Sequence, residues 1–435
     1  MRIIWVALMT ALVGSCTFER PADVGDPIDA ALDSPPPECE ASTRSCTGER
    51  YTECGADGRY VRYDVPNGAP DGSATTLVMH DYACPLGCHA TEPRCLDVAP
   101  GNDLADAMDT TAVSPEGLDL VVDDPSEVAT ITDVHLAGAT SVTIAFSSGA
   151  NIEVPAELRE QPGGPPLRVL QVRSLTITAG TTLKLRGIGP FAIVSHFDIY
   201  VGGVLDDSGT STFGGAVQAG CDIAVSQPTY GGGGNAGAGG ASSRGQAGGS
   251  AQTLNPMLEP IVAGCDGGYG TGGGGLQLVS RRRIAVAGTG RIDVAGERGQ
   301  ALGAGSLFSA GGGGAGGNLL IETPALGLAS GALLLGRGGS GGAGNTATDM
   351  GASGFHGNGD PQATTVPGAR CPGCDADGGD GSTERTNPTA GRASGTGVAG
   401  GGGSIGRTLV RTRSPLVPPI AAIKIHYTGD YIRTR

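Results

Sequence analysis

The chain has 435 residues, room for two or three domains, and 79 of them are glycine, about 18% against a usual ~7%. No strict Gly-X-Y period runs through it, which excludes a collagen. The formal net charge of −15 sits in residues 1–160, with 27 acidic and 8 basic groups, whereas residues 161–435 carry 16 acidic and 20 basic groups; that balance argues against a nucleic-acid partner.

In chain order, Met1-Arg2 is a short positive start, Ile3 to Leu12 a mostly apolar run, and Val13-Gly14-Ser15 a stretch of small residues before Cys16. The apolar run is too short to span a bilayer and reads as a cleaved signal, residues 1–15. Basic start, short core, small residues and cysteine together resemble the lipobox of bacterial lipoproteins. That resemblance implies acylation of Cys16 and, with Thr17 rather than Asp after it, sorting to the outer membrane. More than one acyl chain is needed for a lasting anchor. The alternative is an ordinary secretory signal with an incidental cysteine. Residues 16–38 are rich in Pro and Asp and poor in apolar groups, as an extended tether would be.

Residues 39–98 read as a small Cys-rich module. Setting Cys16 aside leaves ten cysteines, an even number: Cys39, Cys46, Cys54, Cys84, Cys88 and Cys95 here, and Cys221, Cys265, Cys371 and Cys374 further on. A segment with so few large apolar side chains needs staples, and export favours disulfides. Zinc held by Cys84, Cys88, His89 and Cys95 is the alternative, against which stands the lack of paired CxxC elements. Connectivity in the module stays open, and Arg59 to Tyr63, followed by Pro66-Asn67-Gly68, predicts a hairpin. The spacing resembles small Cys-rich modules at the base of bacterial surface proteins. Residues 99–117 read as an acidic linker.

From residue 118 the pattern is short strands without any sustained helical period. A unit of three tiny strands recurs. Phe191–Ser195, Phe197–Val201 and Gly203–Asp206 make one copy; Leu276–Ser280, Ile284–Val286 and Gly290–Val294 a second; Asn318–Ile321, Leu326–Leu328 and Gly331–Leu335 a third. An earlier copy starts at Leu167, a degraded one ends in Leu409-Val410, and Ile420 to Tyr427 reads as a closing strand. One such unit cannot close a core, but stacked units bury a continuous one. The expected fold is therefore all-β. Over residues 118–435 the pattern resembles the right-handed parallel β-helix of exported bacterial proteins, with a β-sandwich as the runner-up.

Sixty-one glycines lie between residues 201 and 410, mostly in insertions at 207–275, 299–317 and 336–403 between the copies. Either these insertions are mobile or they pack backbone against backbone. Local pairing, Cys221 with Cys265 and Cys371 with Cys374, would staple two of them.

Catalytic motifs are mostly products of composition. Ser340 and Ser404 both sit in GxSxG, without the strand, sharp turn and helix of a nucleophile elbow. Gly268 to Gly273 fits GxGxxG by chance, and neither Lys184 nor Lys424 follows glycine as a P-loop requires. Arg281, Arg282, Arg283, Arg407, Arg411, Arg413, Arg433 and Arg435 form the basic clusters, without interleaved aromatics, and read as solvated strand faces. Asp206, Asp207 and Asp293 end equivalent strands and read as exposed turn residues, or as the acid and base of a polysaccharide-acting enzyme; Leu334 interrupts the ladder in the third copy. Asp375, Asp377 and Asp380 approximate a calcium loop with its spacing off by one. No cofactor is expected. The expected function is that of a non-enzymatic, lipid-anchored protein of the cell envelope. Its partners would be the membrane and an envelope protein or polysaccharide. The alternative is a tethered polysaccharide lyase or hydrolase.

Overall fold

The computed structural model describes residues 43–47, 50–56, 60–61, 77–83, 86–88, 90–91, 93, 96, 98–114, 117–133, 138–209, 230–253, 256–301, 310–344, 352–357, 365–370, 376–383, 386–393, 398–412 and 425–427. Among them the chain is nearly all β, its only helical pieces being 3₁₀ turns at Asp106–Asp109 and Thr111–Val113.

Three strands, β1 (Arg44–Thr47), β2 (Arg50–Ala56) and, after the two-residue β3 (Tyr60–Val61), β4 (Leu77–Ala83), carry the Cys-rich region. β1–β2 and β2–β4 pair antiparallel. β3 pairs parallel with β5 (Asp119–Val122), and Pro66-Asn67-Gly68, the turn of the hairpin expected here, lies outside the described residues.

β6 (Val128–Asp133), β7 (Ser141–Phe146), β8 (Asn151–Arg159) and β9 (Leu167–Val172) form an antiparallel meander. After it the repeat takes over. β9, β10 (Ser174–Ile177) and β11 (Thr182–Gly187) are followed by β12 (Phe191–Ser195), β13 (Ile199–Val201) and β14 (Val204–Asp206). Next come β15 (Gly275–Ser280), β16 (Arg283–Val286) and β17 (Arg291–Asp293), then β18 (Asn318–Glu322), β19 (Ala325–Leu328) and β20 (Leu333–Leu335). The short antiparallel pair β21 (Ala376–Asp377) and β22 (Arg392–Ala393) lies in the last glycine-rich insertion. β23 (Arg407–Arg411) and β24 (Ile425–Tyr427) close the series, β24 pairing parallel with β23 where a last strand was expected.

Each strand of one copy pairs parallel with its counterpart in the next: β9-β12-β15-β18-β23, β10-β13-β16-β19 and β11-β14-β17-β20. The result is a six-stranded sheet and a large, curled, mostly parallel sheet of thirteen strands. The register follows the repeat. Ile193, Leu278, Ile321 and Val410 form one column, Ile199, Ile284 and Leu326 a second, Leu205, Ile292 and Leu334 a third. All of these belong to one apolar core. Burying each such side chain contributes about 1.5–3 kcal/mol, so the stacked columns are the main source of stability.

The opposite face of β9, β12, β15, β18 and β23 is apolar too, and a second cluster covers it. Leu104, Ala107, Met108 and Val113 from the 3₁₀ segment, with Leu258 and Ile261, pack on Leu167, Val169, Ala192, Val194, Val279, Leu320 and Leu409. The stretch read as an acidic linker thus presents acidic residues to solvent and a packed apolar side to the sheet.

Candidate functional site

All three long insertions leave after the third strand of a copy and return at the first strand of the next. The described glycines of these insertions are bonded through their backbones. In the segment 311–317, the N–H groups of Gly311, Gly314 and Gly317 donate to the carbonyls of Gln300, Glu297 and Val294. Those of Gly313 and Gly316 donate to Gly401 and Ser404, and that of Ala315 to Cys265. Its carbonyls accept from Gly342 and Gly339, from Gly270 and Gly273, and from Gly233. Partners on each neighbouring segment recur every third residue, the period of a polyproline-II helix, which has no internal hydrogen bonds. The described parts of the insertions are therefore extended segments bonded laterally in several directions, a backbone-against-backbone layer continuous with the strands.

Glycine is needed here for its missing side chain. A methyl at Gly400 would sit inside the Gly311 carbonyl, and one at Gly314 inside the Thr271 carbonyl. In this layer only Gly245 has a positive φ among the described glycines. Close approach, not left-handed backbone, selects the residue type.

Where the layer joins the strands, the three carboxylates of the repeat come together. Asp206 pairs in register with Asp293, and Asp293 with Leu335, so the residue that breaks the ladder is Leu335, not Leu334. None of the three is an exposed turn residue: Asp206, Asp207 and Asp293 are 9%, 6% and 0% exposed. Asp206 Oδ2 accepts from Arg186 Nη2 at 2.6 Å, and its Oδ1 from Ser208 N and Oγ at 3.0 and 2.6 Å. Burial alone would raise its carboxyl, but Arg186 and Ser208 hold it below the ordinary value. Burial drives Asp207 the other way, well above the usual carboxylate range, and the charges of Asp206 and Asp293 add to this against Arg186. Its side chain lies against Gly274, where any larger residue would collide with the carboxyl. Asp293 accepts from Ala295 N at 2.9 Å, and Arg291 Nε lies 3.5 Å from it.

A second acidic pair, Asp266 and Glu297, lies within the layer. Asp266 accepts from Gly272 N at 2.7 Å, yet burial, with Glu297 nearby, pushes its carboxyl up to about 6. Glu297 accepts from Thr271 Oγ1 at 2.8 Å. His356 is shifted down, first by burial and then by Arg298, against the pull of Glu297 and Asp206.

On the outer face of the sheet a polar network ties the 3₁₀ segment down. Glu322, fully buried, accepts from Arg411 Nη1 at 2.6 Å, Gln277 Nε2 at 2.6 Å and Gly101 N at 3.0 Å. Arg411 also donates to Glu259 at 2.7 Å, and Asn102 joins Gln277 to the Leu258 carbonyl. Burial raises Glu322, and Arg411 opposes this. Arg411 is 2% exposed, which corrects its reading as part of a solvated basic face: register sets it beside Glu322. Arg281 donates to the Met108 carbonyl, and Arg282 and Arg283 lie near Asp198. Arg413, Arg433 and Arg435 fall outside the described residues.

Of the cysteines, Cys46 and Cys88 form a disulfide with Cα atoms 5.7 Å apart, joining β1 to the end of the module. Cys265 is also disulfide-bonded, and Cys54 lies on β2. Cys16, Cys39, Cys84, Cys95, Cys221, Cys371 and Cys374 lie outside the described residues, as do His89 and Asp375. Asp380 accepts from Gly368 N at 2.7 Å, and among the described residues no group of three or more His, Cys, Asp or Glu is placed to hold a metal. Ser340 Oγ accepts from Phe355 N at 2.7 Å, fastening one extended segment to the next. Ser404 is 1% exposed, and among the described residues no helix follows either serine as a nucleophile elbow requires. No family model, curated protein or solved structure matches the chain.

The sequence left backbone packing of the insertions as one of two alternatives, and the partners within the layer, like the Glu322–Arg411 network, depend on which segments become neighbours. The run lengths of glycine were the one available signal.

Proposed function

We propose that this chain is a non-enzymatic, lipid-anchored cell-envelope protein, held through Cys16 and a Pro-rich tether on the outer membrane and presenting a rigid β domain to an envelope protein or polysaccharide. The curled parallel sheet is, in this reading, a right-handed β-helix whose successive turns are the three-strand copies. The glycine insertions extend each turn sideways into a stiff slab.

The burial of the Asp206, Asp207 and Asp293 cluster carries the choice against the enzymatic alternative. One raised and one lowered carboxyl is the pattern of an acid and base pair. A polysaccharide must nevertheless reach both groups, and Asp207 and Asp293 are both buried, Asp207 against the backbone of Gly274. The cluster instead joins the strands to the slab, with Arg186 as its counter-charge.

Two measurements test the reading. Cys16→Ala is expected to abolish acylation and release the protein from membranes; a variant of unchanged mass and membrane association would refute the anchor. Wild type is expected to show no turnover on a panel of acidic and neutral polysaccharides. Turnover that disappears in Asp206→Asn and Asp207→Asn would refute the non-enzymatic assignment.

A further inference from the structure

The three strongest places outside the carboxylate cluster are the exposed aromatics Tyr269 and Phe355, the Glu322–Arg411 network and a cavity on the glycine slab. The aromatics stand on separate segments, and the network is saturated by its own partners. The cavity carries more. It has a volume of about 380 Å³ and lies between the 236–238 turn, Ser382, the Asn387-Pro388 stretch and the return segment Ser404–Gly406. That size falls within the range of small-molecule sites, ~300–1,000 Å³.

Its walls are held firmly. Ala236 N donates to the Ile405 carbonyl at 3.0 Å, Ser382 N to Gly403 at 3.0 Å, Ser404 N to Gly233 at 2.9 Å and Gly406 N to Gly336 at 2.7 Å. The cavity is thus preformed. Ser382 is 1% exposed, and its Oγ makes no hydrogen bond among the described residues. A buried hydroxyl left without a partner is rare in native structures and marks a place where a bound group would complete the bonding. Ser404 Oγ, also buried, has only a 3.4 Å approach to the Ile405 carbonyl, and Asn387 stands exposed at the rim. The apolar part of the lining is supplied by Ala236, Ala238, Pro388 and Ile405. Among the described residues the lining has no charged or aromatic side chain.

We propose that this cavity binds a neutral, hydroxyl-bearing ring, the pyranose unit of an envelope glycan. A pyranose has one face of C–H groups for Ile405, Pro388 and the alanines, and hydroxyls that both donate to and accept from Ser382, Ser404 and Asn387. The hydroxyls of Ser382 and Ser404 and the amide of Asn387 match the hydroxyls of a neutral sugar, and the small volume disfavours a long peptide. The proposal rests on the envelope reading for the source of the sugar, but its chemistry stands on the cavity alone.

The test is saturation-transfer NMR on the detergent-solubilised full chain, with glucose, galactose, mannose and N-acetylglucosamine as free sugars, as methyl glycosides and as the corresponding polysaccharides. At least one sugar is expected to bind saturably in the millimolar range. Ala238→Trp, which fills the mouth from an exposed position, should weaken binding at least tenfold while the thermal melt is kept, and Ser382→Ala should weaken it several-fold. If Ala238→Trp does not fold, Asn387→Ala at the exposed rim serves the same comparison. Free sugar and glycoside binding equally would identify a monosaccharide site; a clear gain for glycoside or polymer would identify a glycan-end site. No saturable binding by any neutral sugar, or binding unchanged by the cavity variants, overturns the proposal. Sugar binding is read independently of membrane release, so loss of the anchor in Cys16→Ala with binding retained would separate the two conclusions.

Discussion

Replacing Gly314 with Ala isolates what the glycine layer contributes. Gly314 donates to the Glu297 carbonyl at 2.8 Å and accepts from Gly339 N at 2.9 Å. Its φ lies outside the positive region, so alanine is compatible with the backbone and by itself would stabilise by about 0.4–1 kcal/mol through the unfolded chain. The methyl, however, falls inside the Thr271 carbonyl, which belongs to backbone and cannot swing away. Overpacking of that kind costs about 1–3 kcal/mol. Pushing the segments apart also weakens the two hydrogen bonds at ~1 kcal/mol each. The net expectation is a destabilisation of about 2–4 kcal/mol. Gly327→Ala is the matched control. It lies on an exposed strand position where the nearest atom to a new methyl is the Ala285 Cβ at 3.9 Å, so it should stabilise by about 0.4–1 kcal/mol. Urea unfolding followed by far-UV circular dichroism measures both; tryptophan fluorescence is unsuitable because Trp5, the only tryptophan, lies outside the described residues. If Gly314→Ala matched or exceeded wild type in stability, the close-packed layer would be refuted.

Arg411→Met should destabilise by about 3–5 kcal/mol, because it leaves Glu322 charged and buried. Adding Glu322→Gln should recover much of that loss in a double-mutant cycle, whereas simple additivity would show the two groups to be uncoupled. Asp266, raised to about 6 in the folded chain from an ordinary value near 3.8, binds its proton more tightly folded than unfolded. Its contribution to stability is therefore fully present at low pH and falls as pH rises from about 4 to about 6, by roughly 3 kcal/mol at most. Asp266→Asn should accordingly raise the melting temperature more at pH 7 than at pH 4, and an equal effect at both would contradict the assignment.

The repeat was legible before any coordinates because its strands are short and its inward residues recur at matching places. Ile193, Leu278 and Ile321, or Leu205, Ile292 and Leu334, can be aligned by eye, and their pairing follows from stacking identical units. The scarcity of helix followed from the missing 3.6-residue period in the same way. Asp206, Asp207 and Asp293 were visible as a set, but not their burial, since a turn aspartate and one capped by a neighbouring segment look alike in sequence. Leu104, Met108 and Val113 were similarly hidden by the acidic residues between them.

Residue order by itself thus determined an all-β chain with stacked three-strand copies and insertions concentrated at one position of the copy. Only the tertiary structure decided what the insertions do. A glycine run has no side-chain pattern from which partners can be read, and its hydrogen bonds go to whichever backbone lies alongside. Gly313 meets Gly401 and Gly233 from opposite ends of the sequence because stacking of the strands delivers all three segments to the same place.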